Sequence, residues 1–172
     1  ASVVPVETAR EMERALRQRA RRADVVIMAA AVADFRPARQ ARAKLARQGR
    51  YLLRLRATPD LIARLPRRPR QLVVGFALET HQVMARAQAK LRAKQLDLLV
   101  AQHIDGDGTP FGRRPVCAWL LARDRAAQPL GSRSKPEVAR LLLDNIESLW
   151  DDQWGSARAS SHLPVRQPQR VT

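Results

Sequence analysis

The feature that most limits the fold of this chain is a recurrence of apolar runs of strand length, separated by stretches with helical periodicity. The runs are Val25 to Val32, Gln71 to Phe76, Asp97 to Ala101 and Ala118 to Ala122. Unbroken apolar residues without alternation suit strands covered on both faces. Between them, Thr8 and Glu11 predict a capping box. Met12, Ala15 and Leu16 lie on one face of the helix it opens, with arginines opposite, out to Ala23. A second helix is expected from Glu79 or Thr80 to about Gln95. A third follows the capping box of Ser134 and Glu137, with Val138, Leu141, Leu142, Ile146 and Leu149 at core spacing. The alternation predicts an α/β fold, a mainly parallel sheet with helices on both faces.

The remaining segments are assigned from local signals. Val3 to Val6 and Tyr51 to Arg56 read as short strands, and Ala38 to Arg50 as a mobile loop or broken helix. Thr58, Pro59 and Asp60 read as an N-cap, a first-position proline and an acid favoured by the helix dipole, opening a short helix that ends before Pro66. A turn is expected near Gly131. From Asp151 onward the apolar periodicity gives way to Ser, Arg, Pro and Gln. This divides the chain into one domain, 1–150, and a disordered basic tail, 151–172.

Composition narrows the partners. The net charge is +16, but of the 32 basic residues only Lys44, Lys90, Lys94 and Lys135 are lysine. So strong an arginine skew is what a biased genome writes onto an ordinary solvated surface. The charge is spread along the whole chain with few aromatics among it, which disfavours a base-stacking nucleic-acid site. The same skew draws attention to the surviving lysines, because a compact ammonium and a planar guanidinium are not interchangeable. The single cysteine, Cys117, suits a reducing cytoplasm and reads as a small core residue. No signal peptide is expected, and no run approaches the roughly 20 apolar residues of a membrane helix.

In sheets of this type ligands bind beyond the carboxyl ends of the strands. Those ends carry Asp34, the Thr58-Pro59-Asp60 segment, the Gly75 to Thr80 segment and Gln102. Lys90 and Lys94, four apart on one helix face, could cradle a triphosphate. Taken singly, each has a plainer explanation: a solvated face for the two lysines, a turn cap for Asp34, a first-turn helix acid for Asp60. His81, His103 and His162 stand far apart, so no metal cluster is visible, and no Walker loop or nucleophile elbow occurs.

Together these pieces resemble the phosphopantothenate–cysteine ligase family, that is, phosphopantothenoylcysteine synthetase. The resemblance is carried by Ala29-Ala30-Ala31-Val32-Ala33-Asp34-Phe35-Arg36-Pro37, by Lys44, by Thr58-Pro59-Asp60 and by Val74-Gly75-Phe76-Ala77-Leu78-Glu79-Thr80. Lys90, Lys94 and Asp97 to Ala101 follow in the family's order, as does the Ser134-Lys135 helix start. The resemblance implies a three-layer Rossmann-like fold and a CTP-dependent ligation of 4′-phosphopantothenate with cysteine in coenzyme A biosynthesis, through an acyl-cytidylate. It implies Mg2+ without naming a ligand for it, no flavin on this chain, a homodimer, and a flavin-dependent decarboxylase as partner or fused domain.

Carried over residue by residue, Met28, Ala29 and Ala30 would give backbone contacts to the nucleotide and Asp34 would hold the cytidine. Lys44 would serve acyl-cytidylate formation. Pro59, Asp60, Leu61 and Ile62 would wrap the nucleotide, Phe76 would pack against it, and Lys90 and Lys94 would bind phosphates. The chain departs from the family where Leu45-Ala46-Arg47 replace further lysines and Gln102 replaces an asparagine. It also opens at the strand before Thr8, without the family's Gly-rich strand–turn–helix and Asn-Ser-Ser-Gly segment. The alternatives are a nucleotide-binding remnant without catalysis and a basic nucleic-acid-associated protein.

Overall fold

The computed structural model describes residues 1–47, 49–104 and 112–155. In chain order the elements are α1 (Ala9–Ala20), β1 (Val25–Met28), β2 (Phe35–Pro37), β3 (Leu55–Ala57) and β4 (Leu72–Glu79). They continue with α2 (Val83–Ala93), β5 (Leu98–His103), β6 (Val116–Ala122), β7 (Gln128–Arg133) and α3 (Lys135–Trp154).

Among these residues β1, β4, β5, β6 and β7 lie in that spatial order in one sheet. The first three are parallel to one another, and β6 and β7 add an antiparallel extension. The period of two along β4 sends Leu72 and Val74 to one face and Val73 and Ala77 to the other, all at most 4% exposed. Val73 and Ala77 meet Ala20 of α1 and Ala87 and Leu91 of α2. Leu72 and Val74 meet Val138, Leu142, Ile146 and Leu149 of α3. Helices therefore cover both faces, as an α/β fold of Rossmann-like type requires. The four buried residues of α3 form one stripe, each contributing about 1.5–3 kcal/mol relative to exposure.

Both capping boxes form: Thr8 with Glu11 on α1, and Ser134 with Glu137 on α3. Gly75 lies in the interior of β4 because Leu96 packs against its backbone; a Cβ there would stand 2.6 Å from Leu96 Cδ1. Gln71, 5% exposed, ties α1 to the sheet by donating from Nε2 to the Ala20 and Ala23 carbonyls, both at 2.7 Å.

Several expectations need correction. Val3 to Val6 forms no strand: among the described residues no neighbour supplies its ladder, and Val3 is 85% exposed. The apolar run from Val25 is a strand only as far as Met28, because only four residues pair with β4. The short strand sought at Tyr51 to Arg56 begins at Leu55 and pairs antiparallel with β2 in a separate two-stranded ribbon. The helix after Thr58 is a single turn, with Arg64 N donating to Asp60 O at 3.2 Å. Its cap is Asp60, whose Oδ1 accepts from Ala63 N, and not Thr58. Helix α2 starts at Val83 because β4 runs on through Glu79. Strand β7 occupies the region read as a turn, and Gly131, at φ +69°, sits beside the register shift at Ala118/Trp119. Helix α3 continues to Trp154, where Trp150 and Trp154 pack edge to face, so 151–154 belong to it and not to a tail. The rest of the tail expected over 151–172, from 156 onward, lies outside the described residues.

Candidate functional site

A cleft of about 180 Å³ opens at the carboxyl end of β1, beside Gly75 and Phe76 in the middle of β4. Three pieces of chain form it. Met28, Ala30 and Asp34 come from the end of β1 and the segment after it; Pro59, Asp60, Leu61 and Ile62 from the turn after β3; Lys90 from α2 and Lys94 from its C-cap. Phe76 of β4 also lines it, and Leu96 and Leu99 form an apolar floor. The second piece is tied to the first through the backbone, since Thr58 N donates to Asp34 O at 2.7 Å. Leu61 and Ile62 are buried and anchor the turn to the core, leaving Asp60 exposed above them.

Of the twelve residues expected to contact a nucleotide, the cleft thus gathers ten. Ala29 is adjacent in sequence but does not line it, and Lys44 stands outside it, exposed, between β2 and β3.

The cations of the cleft are held by carboxylates. Lys94 Nζ lies 3.0 Å from Asp60 Oδ2. Lys90 Nζ lies 2.5 Å from Oε1 of Glu79, whose Oε2 accepts from Arg86 Nε at 2.5 Å. Glu79 is a charged side chain only 4% exposed, at the carboxyl end of β4. Burial opposes its charge, but hydrogen bonds and attraction from Lys90 and Arg86 outweigh that and hold its carboxyl below the usual value. Burial likewise opposes the charge of Asp60, and Lys94 with the Ala63 amide overcomes it, so that this carboxyl too is lowered. Asp34 forms no ion pair among the described residues.

Sequence reasoning had not singled out Glu79 as a site residue. The signal was present as spacing: an acid ending an apolar strand, with Arg86 and Lys90 at seven and eleven residues further on, on the following helix.

A second cleft, about 480 Å³, lies between the carboxyl end of α2 and the β6–β7 turn. Its size does not make it the better site, because two of its three arginines, Arg123 and Arg125, are committed. Arg123 donates to the Leu96 carbonyl at 2.8 Å and to that of Gln95, and Arg125 pairs with Asp152 at 2.5 Å. Among the described residues no group of three or more His, Cys, Asp or Glu side chains forms a metal cage, and no helix is long and apolar enough to cross a membrane.

Comparison with known proteins adds to this geometry. Residues 1–149 match the family described as DNA/pantothenate metabolism flavoprotein C-terminal domain. A coenzyme A biosynthesis bifunctional protein CoaBC from Mycobacterium bovis is 38% identical over 157 residues, covering 84% of this chain and 37% of the relative. A protein named cysteine/cysteine sulfinic acid decarboxylase, from an unknown prokaryotic organism, is 34% identical over 151 residues, covering 86% of this chain and 42% of the relative. The chain therefore spans about two fifths of the length of these relatives. The crystal structure of the C-terminal domain of a coenzyme A biosynthesis bifunctional protein CoaBC superposes with a TM-score of 0.68 at 32% identity, over 87% of this chain and 66% of that one.

Proposed function

The chain belongs to the DNA/pantothenate metabolism flavoprotein C-terminal domain family, and from that premise we propose that it forms the nucleotide-binding part of a CTP-dependent ligase joining 4′-phosphopantothenate to cysteine in coenzyme A biosynthesis. The observation that carries this reading is that Lys90 of α2 and Lys94 at its C-cap face the Pro59 to Ile62 turn across one cleft at the carboxyl end of β1. The differing names of the relatives do not oppose it. What this chain shares with both is the same minor part of each, so neither whole-protein name describes that part by itself.

In the proposed reaction the substrate carboxylate attacks the α-phosphorus of CTP and pyrophosphate leaves. The amine of cysteine then attacks the acyl carbon, loses a proton, and CMP leaves. Lys90 and Lys94 bind phosphates, where charge develops during the first displacement. Asp34 holds the cytidine, Phe76 packs against the nucleotide, and Met28 and Ala30 contribute backbone contacts. Lys44 acts at the acyl-cytidylate step, which requires the segment between β2 and β3 to bring it to the cleft. Mg2+ would enter as an ion carried by phosphate oxygens, since among the described residues no group of three or more His, Cys, Asp or Glu builds a cage for it. Bound there, it would neutralise phosphate charge.

A homodimer belongs to the same proposal. Phe35, Tyr51 and Leu55, each at least half exposed on or beside the β2–β3 ribbon, give a second copy an apolar surface to cover. A second reading, a nucleotide binder that does not catalyse, is favoured by the position of Lys44 outside the cleft.

Isothermal titration of CTP, UTP and ATP with magnesium tests the proposal, on the natural chain and on Lys44→Gln. The expected result is selective CTP binding, weakened in the variant. Absence of binding by any nucleotide would refute it. Selective binding unaffected by Lys44→Gln would move the balance to the non-catalytic reading.

A further inference from the structure

The two lysines of the cleft are restrained in different ways. Lys90 is held by Glu79, a carboxylate 4% exposed whose second oxygen is already taken by Arg86. Lys94 is held by Asp60, and both of those side chains are open to solvent, at 36% and 42%. Asp60 is fixed at one end only. Its Oδ1 accepts from Ala63 N at 3.2 Å in the one-turn segment, while Oδ2 reaches across the cleft to α2.

The charges lining the cleft are Lys90 and Lys94 against Asp34 and Asp60, so it presents no net positive charge to an incoming polyanion. A phosphate chain needs an ammonium that is not already neutralised. Separating Lys90 from a buried carboxylate would strand a charge out of water, which is costly. Separating Lys94 from Asp60 leaves both in reach of solvent and costs little.

We propose that Asp60 is the exchangeable counter-ion of Lys94, a latch across the cleft that a phosphate chain displaces on binding and that sets the affinity of the site for polyphosphates. Lys90, by contrast, stays on Glu79 and presents its remaining donors from a fixed position. The inference rests on the phosphate-binding reading of this cleft and goes beyond it in giving Asp60 a role that opposes binding.

The test is isothermal titration of inorganic triphosphate, without added metal and at low salt, into the natural chain, Asp60→Asn, Lys94→Gln and the double variant. Asparagine keeps an oxygen for the Ala63 amide, so the turn retains its cap, and circular dichroism checks that each variant is folded. Asp60→Asn should bind about three- to tenfold more tightly, from a freed ammonium and a removed repulsion. The gain should shrink at high salt and fall by more than half when Lys94 is glutamine. Unchanged or weaker binding by Asp60→Asn, a gain undiminished without Lys94, or no triphosphate binding by any variant would each overturn the latch. Titrating CTP in parallel separates the two ideas. CTP bound equally by the natural chain and Asp60→Asn removes the latch and leaves the nucleotide reading. A gain for inorganic triphosphate without selective CTP binding does the reverse.

Discussion

Replacing Glu79 by glutamine keeps the shape of the side chain and removes one buried negative charge. Both oxygens of the native carboxylate are engaged, with Arg86 and Lys90 each at 2.5 Å. Removing one partner of a fully buried ion pair costs about 3–5 kcal/mol, most of it from the charge left unpaired in a dry site. Here the two cations are 48% and 38% exposed and can be rehydrated, so the cost should be reduced to about 1–2 kcal/mol. For a domain of this size that lowers Tm by roughly 3–6 °C at neutral pH. The pH dependence gives a sharper check. The carboxyl is lowered in the folded state, so its stabilisation is present in full above the unfolded glutamate value and is lost as pH falls through the folded one. The natural chain should therefore lose its margin over Glu79→Gln on acidification, and the two melting curves should converge toward pH 3. Urea unfolding at pH 7, 5, 4 and 3 measures this. A variant as stable as the natural chain at pH 7, or a margin that persists undiminished at pH 3, would refute the assignment of Glu79 as a charged counter-ion.

Two further predictions concern packing. Gly75→Ala puts a methyl 2.6 Å from Leu96 Cδ1, in a core where Leu96 is 1% exposed, and should cost about 1–3 kcal/mol. Leu96→Ala alone should cost about 2–5 kcal/mol, and the double variant less than the sum, because the added methyl partly fills the space vacated; denaturant titration of all three closes the cycle. Gln71→Leu leaves the Ala20 and Ala23 carbonyls without their shared donor and should cost about 1–3 kcal/mol. Hydrogen exchange should accelerate at the carboxyl end of α1, and protection equal to that of the natural chain would show that the side chain is not what ties α1 down.

How far the sequence could be read depended on whether a signal was local. The capping boxes at Thr8 and Ser134 and the apolar interiors of β4, β5 and β6 need only neighbouring residues to act, and they form where expected. The errors arose where pairing decides. Val3 to Val6 has the composition of a strand, but a strand exists only against a partner, and none is present among the described residues. Strand β7, Gln128-Pro129-Leu130-Gly131-Ser132-Arg133, contains a proline and a glycine that argue against a strand. It forms because β6 offers its ladder and the irregularity at Ala118/Trp119 absorbs both residues. Asp60 illustrates the same limit on a smaller scale: its position in a first turn was legible, but not that it, rather than Thr58, would be the cap.

The site divides along the same line, and the lysines show why. The arginine skew drew attention to four lysines, and two of them, Lys90 and Lys94, line the cleft. Helical spacing alone places those two on one face, so their proximity to each other was readable. Their counter-ions were not. Glu79 reaches Lys90 from the end of a strand, and Asp60 reaches Lys94 from 34 positions earlier through a turn whose location depends on Leu61 and Ile62 being buried. Whether a lysine meets a ligand as a free charge or as half of an ion pair is therefore a tertiary property. A sequence motif records the donors of such a site and is silent on how much of their charge is already spent. The consequence for this cleft is that its affinity for a polyanion is governed as much by Asp60 and Glu79 as by the two lysines. Substitutions of those two acids should accordingly have opposite effects: Asp60→Asn strengthens polyphosphate binding by releasing a cation, and Glu79→Gln weakens it by loosening the lysine that must stay in place.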